Sequence, residues 1–393
     1  MMGKQVTMNK KTTSIVFTGD IGFDRYMDKK WEDEKLLSQE ILDFFHSADH
    51  CVANVEGALI NAPDDGSKGI FFHAMDPAAT VFLKKIHSDI FCIANNHTMD
   101  AGKEGIESTL KIAKEMGCKT VGAGLDVVGA SEPAYLSEAG GIGIIAVGYR
   151  PDCVTASEEK PGVFAWDDME RIEARIKEVK AKCRWCIVIS HGGEEFTALP
   201  SPYTRDRYLK YIEYGADIVV GHHPHVPENY EILDGGKKAV FYSLGNFIFD
   251  TDYQRAHAYT DIGILLKLVL DEEGFSFEAI GAGLTRGEQR LEKAPLPAIF
   301  ADVSAEEYET LYPLAAKTFV LEESRRRIFL NPDKYKNATM EEWAAYFEKQ
   351  TRDNEKYCVM NFDVVCPLAE KAAEGKWQES KLEGVKEYLL SLL

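Results

Sequence analysis

A cluster of histidines is the feature of this sequence that most clearly suggests chemistry. The chain has ten histidines, and three of them, His222, His223 and His225, fall within four consecutive positions. They follow an apolar run, 218–220, which predicts a buried strand that ends at a glycine. Imidazole is a good ligand for borderline metal ions, and ligand sites in open α/β folds lie beyond the strand ends. The segment therefore predicts part of a metal site.

Four other predicted strands also end in residues that can bind metal or transfer protons. These residues are Asp20, Asn54 with Glu56, Asn96 with His97, and His191. Any one of them alone is most simply a helix cap, a turn residue or a histidine satisfied within the fold. Because five strand ends carry such residues, a shared metal site is a better interpretation than scattered structural polar groups.

The strands that position these residues alternate with amphipathic helices. Strands are predicted at 14–18, 51–53, 89–94, 142–147, 186–190, 217–220 and 239–242, and helices around 31–45, 78–86, 105–116, 168–179 and 208–214. This alternation indicates an α/β fold. From Ser304 onward the sequence is rich in Glu, Lys, Ala and Leu, which predicts helices. We expect one domain over residues 1–285 and a mainly helical C-terminal extension over 286–393, packed on the first domain.

Composition and charge exclude several classes of function. Hydrophobic residues make up 45% and charged residues 28% of the 393 positions, as in ordinary globular proteins. The net charge of −19 argues against binding to nucleic acid or to an anionic membrane surface. No apolar stretch of about 18 residues predicts a membrane span, and the first hydrophobic segment, 14–18, is too short for a signal peptide. These features predict a cytoplasmic protein.

Six segments, in the correct order, resemble the bacterial capsule synthesis (CapA, poly-γ-glutamate) family. They are GDIGFDR (19–25), ANVEG (53–57), ANNHTMDAG (94–102), HGGEEF (191–196), GADIVVGHHPHV (215–226) and SLGNF (243–247), so the resemblance covers roughly residues 14–250. That family is similar to the calcineurin-like metallophosphatases. The resemblance therefore implies a four-layer α/β/β/α metallophosphatase-like sandwich, with the helical extension outside it.

The resemblance also implies a metal ligand set. Its members are Asp20 and His225 on a first metal, Asn96 and His223 on a second, Glu56 in the bridging position, His191, and His222, which could exchange with His223. A metallophosphatase would have a histidine two residues after Asp20, where this chain has Gly22. We therefore expect the first metal to be held weakly or to be absent.

Other residues are predicted to act on the substrate or to support the ligands. The resemblance implies that His97 donates a proton to the leaving group, and Asp100 could orient its imidazole or be a turn residue. Arg25 is either an anchor for phosphate or carboxylate oxygens or a surface arginine. The expected supporting residues are Asn54, Glu195 and Asn246.

The ligand types predict the metal and the reaction. Imidazole, carboxylate and amide oxygen together suit Mn²⁺, Zn²⁺ or Fe better than Mg²⁺, and we expect one or two such ions. They would activate a water and polarise the substrate. The favoured function is a metal-dependent hydrolase of a phosphoester or of a capsule-related polyanion, with an anionic small molecule or polymer as its substrate. Two alternatives stay open: a non-catalytic accessory protein of poly-γ-glutamate capsule synthesis or export, and a metal-dependent γ-glutamyl amide hydrolase.

Overall fold

Two β-sheets form the centre of the fold in the computed structural model, which describes residues 12–61, 69, 71–353 and 383–392. The strands of the first sheet are β1 (Thr13–Ile21), β2 (His50–Val55), β5 (Ile90–Cys92), β6 (Lys119–Val121), β15 (Asn246–Ile248), β16 (Ile262–Leu270), β17 (Phe275–Thr285) and β18 (Arg290–Ala294). Their spatial order is β18-β17-β16-β1-β2-β5-β6, and β15 also pairs with β1. The pairs from β1 to β6 are parallel, whereas β16, β17 and β18 are antiparallel.

The second sheet is parallel at its centre and antiparallel at both edges. Its strands are β8 (Ala134–Leu136), β9 (Ile142–Gly148), β11 (Trp185–His191), β12 (Ile218–His222), β13 (Tyr230–Leu233) and β14 (Lys238–Phe241), in the order β13-β14-β12-β11-β9-β8. Two short ladders join β3 (Ala58–Leu59) to β4 (Ala74–Met75) and β7 (Ala123–Gly124) to β10 (Gly162–Val163). The predicted strand regions are confirmed, and none of their ends moves by more than three residues.

Helices cover the outer faces of both sheets. Their bounds are α1 (Gln39–His46), α2 (Thr80–Lys85), α3 (Gly102–Met116), α4 (Val127–Ala130), α5 (Met169–Lys182), α6 (Pro202–Tyr214), α7 (Asp252–Arg255), α8 (Ala305–Leu330), α9 (Pro332–Tyr335), α10 (Met340–Asp353) and α11 (Glu383–Leu392). Short 3₁₀ turns lie at Arg25–Met27, Lys30–Glu32, Pro77–Ala79 and Asp234–Gly236.

The alternation of side chains along β9 shows how the layers stack. Ile144 and Ala146 belong to the core shared with the first sheet, whereas Ile145 and Val147 pack with residues of α5 and α6 in a separate cluster. Residues of α1 and α3 join the core on the other face of the first sheet. The order helix, sheet, sheet, helix confirms the predicted four-layer α/β/β/α sandwich.

The first helix is shorter than the pattern predicted. A helix was expected around 31–45, but α1 begins only at Gln39. The residues before it form a 3₁₀ turn at Lys30–Glu32 and further turns, and the chain is held at Leu37 and Ser38, because Leu37 bridges Leu291 and the Ser38 amide donates to the carbonyl of Leu291. Tertiary pairing with β18 therefore overrides the helical periodicity of this segment.

The described residues of the C-terminal region from Ala305 onward lie mainly in helices α8 to α11. Ser304 and Glu307 form a capping box at the start of α8, and Tyr308, Leu311 and Leu314 pack against residues 198–199 of the first domain. The division at 285/286 stays a prediction, although β18 pairs with β17 across it. Residues 1–11, at the predicted N-terminal segment, and 354–382, within the predicted extension, lie outside the described residues. Among the helices that the structure describes, none has the length and apolarity needed to cross a membrane.

Candidate metal centre

Strand register brings the predicted ligands to one edge of the two sheets. In the first sheet, Asp20 of β1 lies in register with Asn54 of β2 and with Asn246 of β15. In the second sheet, His191 of β11 lies in register with His222 of β12. Because these strands are parallel, their carboxyl ends meet at the same edge. Residues up to 226 positions apart in sequence are thus collected at one place.

Three buried side chains form the centre of this cluster. Asp20, Glu56 and His191 can each offer one ligand atom, and these atoms lie within 4.8 Å of one another. Glu56 is fully buried, and neither of its carboxylate oxygens has a hydrogen-bond partner among the described residues. A buried carboxylate without partners is costly unless a cation or proton compensates it. The donor set therefore fits a metal ion.

The pKa values of these residues in the protein without metal also fit a metal ion at the centre. Burial, together with the nearby carboxylate of Asp20, raises the pKa of Glu56 well above its usual value. Burial and neighbouring His223 lower the pKa of His191 well below its usual value. Burial opposes ionisation of Asp20, but His225 and His191 outweigh it and lower the pKa of Asp20. A cation at the centre would favour the carboxylate form of Glu56 and the neutral form of His191.

Two asparagines hold the ligands in position. Asn54 Nδ2 donates to Asp20 Oδ1 at 2.7 Å. Asn246 Nδ2 donates to the Thr260 carbonyl at 3.0 Å, which turns its Oδ1 toward His225 Nδ1 at 2.9 Å. His225 Nδ1 also lies 3.3 Å from Asp20 Oδ2. His225 therefore has Nε2 left as its ligand atom.

The structure separates the three clustered histidines. His223 and His225 line a cavity, and both have positive φ angles, 99° and 61°. Such backbone conformations are strained for side chains other than glycine and are common at functional sites. His222 is not among the cavity-lining residues, and its Nε2 lies 2.8 Å from the Thr18 carbonyl. The buried Nδ1 of His222 has no partner among the described residues.

Asn96 links two histidines of the centre. As assigned, its Nδ2 faces His97 Nε2 at 3.0 Å and its Oδ1 faces His191 Nε2 at 2.9 Å. His97 Nε2 also lies 4.0 Å from Glu56 Oε1, and His97 Nδ1 lies 2.8 Å from Asp100 Oδ2. Burial and the neighbouring His73 lower the pKa of His97 to about 4 in the protein without metal.

The cavity beside the centre has a volume of about 440 Å³. Its walls include Asn96, His97, Asp100 and Glu195 of the first domain, and also Phe319, Glu322, Glu323, Arg326 and Arg327 of α8. Glu195 Oε2 accepts from the Tyr253 hydroxyl at 2.7 Å and lies 3.4 Å from Arg326 Nε. Burial acts to raise the pKa of Glu195, but Arg326 and the nearby His223 outweigh it and lower the pKa to about 2. Helix α8 thus forms one wall of the cavity.

Two features of the cavity were missed from the sequence. His73 lies in its wall, and its Nδ1 makes a close contact with Asp24 Oδ2. His73 follows no predicted strand, so its only signal was its residue type. Arg326, on α8, lies far from every motif. By contrast, Arg25 is exposed, donates to the Phe72 carbonyl at 3.3 Å and is not among the cavity-lining residues, so the structure does not bring it to the site.

Known proteins share the part of the chain that builds this centre. Residues 14–251 match the family model described as "Bacterial capsule synthesis protein PGA_cap". The PGA biosynthesis protein CapA of Bacillus subtilis is 31% identical over 259 residues, which are 64% of this chain and 67% of that protein. The capsule biosynthesis protein CapA of Bacillus anthracis is 31% identical over 179 residues, which are 44% of this chain and 43% of that protein.

Two solved structures can be superposed on the larger part of the chain. A hypothetical protein from Thermus thermophilus gives a TM-score of 0.44 at 15% identity and covers 68% of this chain and 99% of that chain. The 5'-nucleotidase from Candida albicans gives a TM-score of 0.42 at 12% identity and covers 68% of this chain and 50% of that chain.

Proposed function

The chain belongs to the bacterial capsule synthesis protein family PGA_cap, as its motifs predicted, and from this premise we propose that it is a metal-dependent hydrolase. Its substrate would be a phosphoester or a capsule-related anionic molecule. The observation that carries the proposal is the buried carboxylate of Glu56, which has no hydrogen bond among the described residues and lies beside Asp20 and His191.

The residues that would hold metal are those that the strand ends collect. They are Asp20, Glu56, Asn96, His191, His223 and His225, with the Nδ1 atom of His222 as a further donor. Imidazole together with carboxylate favours Mn²⁺, Zn²⁺ or Fe over Mg²⁺. When bound, one or two such ions would supply Lewis acidity and lower the pKa of a coordinated water.

The remaining groups of the cavity handle the substrate and its protons. Asp100 accepts from His97 Nδ1, which leaves Nε2 as the nitrogen that can take up a proton and pass it to the leaving group. Arg326, which is paired with Glu195 and Glu323, provides a positive charge on the wall that α8 forms. A cavity of about 440 Å³ suits a small molecule or the end of a polymer chain.

The His97–Asp100 pair favours hydrolysis over a purely accessory role. A binding protein has no need for an oriented imidazole beside its metal ligands. A γ-glutamyl amide is the alternative substrate, because the same metal and proton donor would serve cleavage of an amide bond.

Metal analysis of the purified protein tests the proposal. The wild-type chain should bind about one to two equivalents of Mn²⁺, Zn²⁺ or Fe, and Asp20→Asn should bind less because it loses a buried carboxylate ligand. Asp49→Asn removes an exposed carboxylate that bonds Ser14 and should bind as the wild type does. A wild-type protein without metal, even after reconstitution, would refute the site.

A substrate panel then separates the reactions. Phosphomonoesters, phosphodiesters and γ-glutamyl peptides would be compared with Mn²⁺ present. Turnover of the esters alone supports the phosphoesterase, and turnover of the peptides alone supports the amide hydrolase. A protein that binds metal but turns over none of them would favour the accessory role.

A further inference from the structure

A second imidazole–carboxylate pair lies next to His97 and Asp100. His73 is 4% exposed and lines the cavity, and its Nδ1 is in close contact with Asp24 Oδ2. The carboxylate accepts from Nδ1, so Nε2 is the ring nitrogen that remains for other contacts. Among the described residues, no hydrogen bond involves His73 Nε2. The pair therefore offers an oriented imidazole to the cavity.

The His73–Asp24 pair and the His97–Asp100 pair are in direct contact. The His73 and His97 rings meet edge to face, with centroids 4.2 Å apart and an interplanar angle of 77°. The backbone amide of His73 donates to Asp100 Oδ2 at 2.8 Å, and the same oxygen accepts from His97 Nδ1. One carboxylate thus fixes both the position of His73 and the tautomer of His97.

The reactive nitrogens of the two rings have different surroundings. His97 Nε2 is 3.0 Å from the Asn96 side chain and 4.0 Å from Glu56, so it faces the residues that would hold metal. His73 has no such contact with these residues and packs against the ring of Phe249 at 5.0 Å. His73 lines the same cavity as His97, so its Nε2 can contact a substrate that lies there.

We propose that His73, oriented by Asp24, is a second catalytic histidine that contacts the leaving-group oxygen and donates a proton to it. In phosphoester hydrolysis a water oxygen forms the new bond to phosphorus, and the bond from phosphorus to the leaving oxygen breaks. That oxygen takes a single proton, for which His73 Nε2 is a second source beside His97 Nε2. Each ring donates from Nε2 only when both of its nitrogens carry protons, because Nδ1 keeps its own proton toward Asp24 or Asp100. Solvent returns a proton to His73 and accepts the one released by the attacking water. This assignment rests on the proposed hydrolase function.

Leaving-group dependence is the test, since a proton donor matters only when the leaving group is a poor one. His73→Gln should lower kcat/KM about 10²-fold for an alkyl phosphate, whose leaving oxygen is strongly basic, and less than about threefold for p-nitrophenyl phosphate. Asp24→Asn should show the same pattern in weaker form. His46→Gln, on a surface ring that stacks on His87, is the matched control and should match the wild type on both esters.

A double variant separates direct action from positioning of His97. If His73 contacts the substrate itself, adding His73→Gln to His97→Gln should cause a further loss that is larger for the alkyl ester. If it acts only through His97, the second substitution should add nothing. Equal losses on both esters would also overturn the proposal.

Metal content and the thermal transition of each variant complete the test. Both should equal those of the wild type, because His73 and Asp24 are not placed among the metal-binding residues. Loss of metal or of cooperative unfolding in His73→Gln would assign the residue to support of the centre and overturn the proposal. A wild type that hydrolyses no ester would overturn the hydrolase function and this inference together, whereas an active wild type with uniform losses would overturn this inference alone.

Discussion

Glu56→Gln should make the metal-free protein more stable while weakening metal binding. The carboxylate is fully buried and has no hydrogen-bond partner among the described residues. Leaving such a group unsatisfied costs about 1–3 kcal/mol, and more when it is charged. Glutamine has nearly the same shape and also leaves buried polar atoms without partners, but it carries no charge. The substitution should therefore recover only the additional cost of the charge as free energy of unfolding.

The expected shift in melting temperature follows from the size of the chain. An unfolding entropy of about 2.1 cal/mol/K per residue gives about 0.8 kcal/mol/K for a chain of 393 residues. A gain of about 1–3 kcal/mol then raises the melting temperature of the metal-free protein by about 1–4 °C. Calorimetry or far-UV circular dichroism after chelation would measure it.

The stability that Glu56→Gln gains over the metal-free wild type should increase with pH. Burial raises the pKa of Glu56 above its usual value of 4.5, so the folded state keeps a proton that the unfolded chain releases. The metal-free wild type should therefore lose stability as the pH rises above about 4.5. The glutamine variant lacks this group, so its advantage should grow with pH and disappear below about pH 4.5.

Adding metal should reverse the order of the two proteins. At a metal concentration of about 100 times Kd, binding stabilises the wild type by about 2.7 kcal/mol, and the variant gains less. Glu107→Gln, an exposed residue paired with Lys103 on α3, is the control and should change stability by less than about 0.5 kcal/mol. The reasoning is refuted if the glutamine variant binds metal as tightly as the wild type, or if it is the less stable protein without metal.

Two further predictions concern the cavity wall and the histidine segment. Arg326→Gln should raise KM for an anionic substrate about tenfold with little change in kcat, because it removes a positive charge that faces the cavity. Arg325→Gln is the control, since Arg325 is not among the cavity-lining residues, and its KM should equal that of the wild type. Equal KM values for the two variants would contradict this prediction. Gly221→Ala should destabilise the fold by at least about 1–3 kcal/mol in a thermal melt, because its Cβ would lie 1.8 Å from the Tyr242 carbonyl oxygen, whereas Gly274→Ala meets nothing within 4 Å and should be near neutral.

The ligands that could be predicted from the sequence are those that directly follow a recognisable strand. Asp20, Asn96 and His191 each follow an apolar run whose length and composition identify a strand. Because central strands of an α/β sheet are parallel, residues at their carboxyl ends can be grouped without knowing any contact. The structure agrees with this grouping, because Asp20 lies in register with Asn54 and His191 lies in register with His222.

The part that could not be predicted depends on contacts between distant segments. His73 reaches the cavity because the short ladder of β3 and β4 places it beside Asp24 and Asp100, and no periodic pattern encodes that ladder. Arg326 is 131 residues from Glu195 in sequence, and their ion pair exists only because α8 packs on the first domain. The extent of α1 was mispredicted for the same reason, since pairing with Leu291 decides it.

The ring of Phe249 explains why position 22 holds a glycine. A Cβ at Gly22 would lie 2.7 Å from Phe249 Cε2, so the metallophosphatase histidine cannot stand there while this ring keeps its place. The ring is 2% exposed and lies 5.1 Å from the His225 ring and 5.0 Å from the His73 ring. The ring therefore leaves no room for an imidazole at position 22 and packs against the His73 ring in the cavity wall. The same ring thus connects two proposals, the weakly held first metal that Gly22 predicts and the catalytic role proposed for His73.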